Sequence, residues 1–91
     1  MPTDRPAPAV PLADWLEHLI AQLPEGAASA PTPEEARALL DLACVAAHTS
    51  ERIAAPLSTF LVGLAYSSRE PADRGRLITE LVGRLEDASK V

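Results

Sequence analysis

Apolar residues recur along this chain at intervals of three and four positions, which is the spacing that gives a helix one apolar face. The first such stretch begins at Leu12 and continues to Leu23, where Pro24 follows. No segment alternates apolar and polar residues as a strand would. The pattern therefore predicts an all-α protein whose first helix runs from Leu12 to about Leu23.

The clearest helix start lies in the run Thr32-Pro33-Glu34-Glu35. The Thr32 hydroxyl can cap the helix, Pro33 suits its first position, and the Glu35 side chain can reach back to complete a capping box. We expect this second helix to end near His48 or Ser50. Its predicted core face consists of Ala36, Leu39, Leu40, Ala43 and Ala47.

Two further helices are predicted, with Pro56 and Pro71 in their first turns. The third is apolar on most of its circumference, so we expect it in the middle of a bundle or at a dimer interface. Its predicted core face consists of Leu57, Phe60, Leu61 and Leu64, with Val62 and Tyr66 on the opposite side. The predicted core residues of the fourth helix are Leu77, Ile78, Leu81, Val82 and Leu85.

Chain length and the proline-rich start set the domain organisation. Residues 1–11 contain four prolines and no periodicity, which is typical of a disordered arm. A chain of 91 residues buries barely enough surface for one core. We therefore predict a single-domain bundle of about four helices over residues 12–88, preceded by a disordered proline-rich arm at residues 1–11.

Charge and composition exclude several classes of partner. The net charge is −5, which disfavours nucleic acid and anionic membranes. No apolar run approaches the roughly 18 residues of a membrane span, and the first residues lack the apolar region of a secretory signal. Cys44 is the single cysteine, which suits a reducing compartment. We expect a cytoplasmic protein with no disulfide and no cofactor.

Asp41, Cys44 and His48 are spaced to share one side of the second helix, in an arrangement that resembles an acid, a nucleophile and a base. Cys44 lies in mid-helix, however, and no glycine-rich turn supplies an oxyanion hole. His18 is the only other histidine, so the ligands for a metal site are too few. We predict neither a catalytic nor a metal site.

Four polar residues gather before and within the third helix: His48, Arg52, Ser58 and Thr59. The start of a helix offers backbone N–H groups to an anion, so this junction is a candidate site for a small phosphate-bearing ligand. The competing interpretation is that Arg52 pairs with a nearby carboxylate and that the hydroxyls cap locally. Both interpretations remain open at the level of sequence.

Val45, Val62 and Tyr66 are apolar residues predicted to lie off the core faces. A cluster of such residues would mark a surface for another protein or for a second copy of the chain. Together with the scarcity of catalytic groups, this surface favours a non-catalytic accessory or protein-interaction domain over an enzyme. The phosphate-ligand module at the His48 and Arg52 junction is the alternative.

The segments 12–23, with its Trp15-Leu16 pair, and 39–65 resemble a small helical domain of unknown function found in actinobacteria. The resemblance covers about residues 12–88. It implies a place beside or fused to molybdenum cofactor guanylyltransferases of the MobA type, and hence a role near maturation of that cofactor. A nucleotidyl-transfer fold does not fit in this helical chain, so the implied role is one of association. The matching residues are His48, Arg52, Pro56, Thr59, Phe60 and Gly63.

Overall fold

The computed structural model describes the backbone of residues 10–89 and the side chains of residues 10–87. These residues form four helices and no strand, which confirms the all-α prediction. The helices are α1 (Leu12–Ala21), α2 (Pro33–Thr49), α3 (Ala54–Ala65) and α4 (Pro71–Ser89). Within this part of the chain no helix combines the length and apolarity that crossing a membrane requires. Most of the predicted N-terminal arm, residues 1–9, lies outside the described residues.

The chain divides after Ala30 into two compact units, and α1 belongs to the first. It ends at Ala21 rather than at Leu23, because the Leu23 amide donates to the Ile20 carbonyl in a tight turn at 3.0 Å. None of its residues is buried, and the Trp15 side chain is 48% exposed. The apolar stripe of α1 is therefore largely uncovered.

The second unit begins with the predicted cap of α2. The Thr32 hydroxyl accepts a hydrogen bond from the Glu35 amide at 3.1 Å, and Pro33 occupies the first helical position. This bond is one half of the predicted capping box; the other half is not formed, because the Glu35 carboxylate accepts two hydrogen bonds from the Arg74 guanidinium of α4. The two parallel bonds to a guanidinium join opposite charges in a bidentate geometry, which the single bond of a capping box lacks.

Helix α2 is the centre of this unit and packs against both α3 and α4. The core consists of Ala38 and Leu42 from α2 with Ile78 and Val82 from α4, each at most 7% exposed. The predicted core face of α2 is therefore only partly right: Leu39 packs half-buried against the core, but Leu40 is 70% exposed, and Ala38 and Leu42 were not predicted. The buried face of α2 begins at Glu35. A pattern that counts only apolar residues does not include this charged residue, so it misses the first position of the buried face.

Helix α4 follows the prediction more closely. Its outward residues form surface pairs, with the Arg76 guanidinium 3.5 Å from carboxylates of Asp73 and Glu80. Ile78 and Val82 are buried in the core as predicted, Leu77 and Leu81 are half-buried, and Leu85 is 39% exposed at the far end. Leu81 and Leu85 line a groove beside the C-terminal half of α2.

Candidate functional site

Helix α3 turns its larger apolar residues away from the core, opposite to the sequence prediction. Leu57, Phe60, Leu61 and Leu64 are between 58% and 63% exposed. We call these four side chains the outer face of α3. Val62 and Tyr66, predicted on the opposite side from the core, are half-buried and pack against it.

The inversion has a physical reason in the composition of α3. Its twelve residues include no charged side chain, so nothing in the pattern marks which side faces water. Small residues, among them Ala54, Ala55 and Ser58, are half-buried on the inner side. Small side chains let two helix backbones approach closely, which is why they face α2 while the leucines do not. The lack of charge on α3 was the signal that could have identified its outer face as a binding surface.

A groove of about 490 Å³ lies against this helix, within the second unit. Its walls are the C-terminal half of α2, the inner edge of α3 and the end of α4. The residues that line it are Leu42, Val45, Ala46, Thr49, Ser50, Ala54, Ser58, Leu61, Val62, Leu81 and Leu85. None of them is charged, and Leu61 belongs to both the groove and the outer face. The two surfaces are therefore continuous.

The predicted interaction residues occupy a different place from the one expected. Val45 is half-buried against the core, and so are Val62 and Tyr66, so they form no exposed cluster. Val45 and Val62 also line the groove. They lie in its wall, while the outer face supplies the exposed apolar surface.

The side chains of the predicted phosphate junction make local contacts where their hydrogen bonds are described. His48 Nδ1 lies 2.8 Å from the Cys44 carbonyl, and the Thr59 hydroxyl donates to the Pro56 carbonyl at 3.0 Å. Ser58 lines the apolar groove, while Arg52 is exposed in the loop before α3. Among the described hydrogen bonds, none joins two of these four predicted site residues.

The start of α3 also lacks the amides that an anion would use. The Ala54 amide donates to the Glu51 carbonyl at 2.8 Å, and the Ala55 amide donates to the Arg52 carbonyl at 3.1 Å. The third position is Pro56, which has no N–H. The first three positions of the helix thus leave no backbone donor for a phosphate. No side chain caps the start of α3, so the local capping of the competing interpretation is not seen either.

Cys44 and His48 meet on the surface of α2, as their spacing predicted. The Cys44 thiol lies 3.4 Å from His48 Nδ1, and both side chains are exposed. Asp41, one turn earlier, has no described hydrogen bond to either. The surrounding amides are engaged in a continuous helix, so they cannot serve as oxyanion donors. Nor do the described residues contain a group of three metal-ligating side chains.

Residues 7–90 match the family described as a domain of unknown function, DUF6457. The chain belongs to this family. No curated protein and no solved structure matches the chain. The family match contains the whole of residues 12–88, the region in which the sequence resembles an uncharacterised helical domain.

The main chemical feature of this DUF6457 domain is an uncharged, apolar surface. The outer face and the groove form one continuous area on the second unit, and the polar residues that line the groove, Thr49, Ser50 and Ser58, are uncharged. Burying such an area away from water lowers the free energy. Burial requires a complementary apolar surface on a partner. The arrangement is suited to docking.

Proposed function

We propose that this DUF6457 domain is a non-catalytic protein-interaction module that docks through the outer face of α3 and the adjoining groove. The observation that carries the proposal is the exposure of Leu57, Phe60, Leu61 and Leu64, each near 60%. Single exposed leucines need no explanation, but a contiguous group beside an apolar groove is typical of a binding surface.

The free energy available from burying the outer face is large enough to support docking. Complete burial of one such side chain is worth about 1.5–3 kcal/mol, so burying the exposed part of all four contributes several kcal/mol to association. Aromatic side chains dominate many interfaces, which makes Phe60 the expected anchor. An apolar groove that receives a helix from a partner is an established mode of recognition.

A molybdenum cofactor guanylyltransferase is the partner that we propose for this module. Its support is the sequence resemblance of residues 12–23 and 39–65 alone. The domain would then position or stabilise that enzyme without taking part in its chemistry. Mass-resolved size exclusion of the purified chain with the guanylyltransferase of its host tests this partner, and separate elution of the two proteins would count against it.

The docking surface itself is tested by placing a photo-cross-linking amino acid at position 60 or at position 40 in cells of the host. Phe60 lies on the outer face, whereas Leu40 is an exposed leucine of α2 outside it. We expect a discrete protein product from position 60 and only diffuse background from position 40. Equal cross-linking at the two positions would contradict the proposed function, whichever protein is captured.

A further inference from the structure

The groove in the second unit has the size of a small-molecule site. Its volume of about 490 Å³ falls within the range of about 300–1,000 Å³ that ligand pockets occupy. All of its lining residues belong to the second unit, where α2, α3 and α4 supply the walls. The groove is thus a feature of one compact body.

The apolar part of the groove is built on residues that the core already holds in place. Leu42, which is 2% exposed, lies in its lining together with the half-buried Val45 and Val62. Ala46 and Ala54 also line it, and their small side chains leave the space between α2 and α3 unfilled. A surface that is ordered before binding lowers the entropic cost of association, so even a small apolar molecule can bind there.

Three hydroxyl groups face this otherwise apolar space: those of Thr49, Ser50 and Ser58. Other helical hydroxyls are engaged, since those of Thr59 and Thr79 donate to backbone carbonyls one turn earlier at 3.0 and 2.8 Å. Within the described part of the chain, no side-chain hydrogen bond engages the three groove hydroxyls. Each can therefore donate a hydrogen bond to a bound molecule or accept one from it.

The absence of charge from the groove selects among head groups. None of the lining residues is ionisable, so a carboxylate, phosphate or ammonium would lose its hydration there without gaining an opposite charge. The net charge of −5 adds to the cost for an anion. A neutral hydroxyl, ester or amide needs only a hydrogen bond, which the groove hydroxyls can supply.

We propose that the groove binds a small, uncharged amphiphile. Its alkyl body packs against Leu42, Val62 and Leu81, and its hydroxyl or carbonyl head group bonds to the Ser58 hydroxyl. This inference goes beyond the proposed function, because the side chains of Leu57 and Phe60 do not line the groove and stay exposed for a protein partner.

A titration of the full chain with 1-octanol, followed by methyl NMR, tests the proposal. We expect saturable shifts of the Val45 and Val62 methyl resonances and none at Leu40, which lies outside the groove. The dissociation constant should depend on chain length. Removing two methylenes should weaken binding of 1-hexanol by about four- to fifteenfold, according to how completely the alkyl chain is buried.

Octanoate, titrated at about pH 8 where it is ionised, tests the choice of head group. Its alkyl chain is nearly the same as that of 1-octanol, but its head is an anion. We expect it to bind at least about tenfold more weakly than the alcohol, because the groove offers no cation. Equal affinities would show that the head group stays in water, and would overturn the proposal of a neutral ligand.

Two pairs of variants locate the site. Leu85→Asp places a charge in the groove wall and should reduce 1-octanol binding at least about tenfold, whereas Leu40→Asp should bind like the parent. Ser58→Ala removes the proposed hydrogen bond and should weaken binding by about three- to tenfold. Its matched control is Thr59→Ala, whose hydroxyl is engaged with Pro56 and does not line the groove. Circular dichroism of each variant checks that the helices persist.

The outcomes of these experiments separate the groove site from the docking surface. Shifts that do not saturate, or that appear equally at Leu40, overturn the proposed groove site. So does an affinity that Ser58→Ala and Leu85→Asp leave unchanged. Selective cross-linking at position 60 would still support the protein-docking surface in each of these cases. Conversely, equal cross-linking at positions 60 and 40 would contradict the docking function, while saturable binding of 1-octanol would still support the groove site.

Discussion

The guanidinium of Arg74 donates two hydrogen bonds to the carboxylate of Glu35 and joins the start of α4 to the start of α2. A third bond runs from Arg74 to the Arg69 carbonyl at 3.2 Å. The Glu35 side chain is 7% exposed and that of Arg74 is 18% exposed. The hydrogen bonds to Glu35 raise the pKa of Arg74 above its ordinary value. The two residues thus form a largely buried ion pair between α2 and α4.

Removing the two partners is expected to have unequal effects on stability. Arg74→Ala leaves the nearly buried carboxylate unpaired and should lower the free energy of unfolding by about 3 kcal/mol. Glu35→Ala leaves a guanidinium that still bonds to Arg69 and reaches water, so we expect about 1–2 kcal/mol. Urea denaturation followed by circular dichroism measures both values. A larger loss for Glu35→Ala would contradict this account of the pair.

The same pair has a defined pH dependence. Because the pKa of Arg74 is raised on folding, its contribution is fully present below the ordinary arginine pKa and is lost only as the pH rises through the folded value. The difference in stability between the parent and Arg74→Ala should therefore stay constant from about pH 7 to about pH 10. Urea denaturation at several pH values provides the check. If this stability difference declined within that pH range, another titrating group would have to influence the Arg74–Glu35 pair.

Two glycines of α4 should respond oppositely to alanine. A Cβ atom on Gly75 would lie 2.9 Å from Glu34 Cγ and 3.1 Å from the Glu35 backbone nitrogen. Gly75→Ala must push α4 away from α2, and we expect a loss of about 1–3 kcal/mol. Gly83 has no atom within 4 Å of that position, so Gly83→Ala should gain about 0.5–1 kcal/mol from helix propensity. Melting temperatures of the two variants should move in opposite directions.

The corrected core face of α2 can be tested with two leucines. Leu42 is 2% exposed and Leu40 is 70% exposed. Leu42→Ala should lower the free energy of unfolding by about 2–4 kcal/mol because it leaves a cavity. Leu40→Ala should change it by no more than about 0.5 kcal/mol. Chemical denaturation of both variants shows which face of α2 is buried. Comparable losses of stability in the two variants would support the core face predicted from sequence.

Inorganic phosphate is expected not to bind at the start of α3, because the Ala54 and Ala55 amides already have carbonyl partners. In an NMR titration to about 10 mM phosphate, these two amide resonances should move no more than those of exposed amides elsewhere. The Arg52→Ala variant should behave like the parent. A saturable shift that disappears in this variant would instead establish the anion site.

Local signals in the sequence were reliable predictors of this fold. Thr32, Pro33 and Pro71 fixed the starts of α2 and α4, because capping and the fixed φ of proline act within one turn. The spacing of Cys44 and His48 likewise predicted their contact. Each of these features depends only on residues close in sequence.

The side of each helix that faces the core was harder to predict, because it depends on residues distant in sequence. The charge of Glu35 is buried only because Arg74 lies opposite, 39 positions away along the chain. Helix α3 has no charged residue on any side, so its sequence does not reveal that Phe60 faces outward and Val62 inward. The outer face, which carries the proposed function, was therefore placed on the wrong side of the helix.

The absence of any buried residue in α3 has a consequence for the order in which the second unit opens. Amide hydrogens protected by a buried core exchange only on global unfolding, whereas weakly anchored helices open locally at lower free energy. Helix α3 can therefore detach while the contact between Leu42 and Ile78 persists. Docking on its outer face would slow that opening, so slowed hydrogen exchange in α3 would report occupancy of the surface directly.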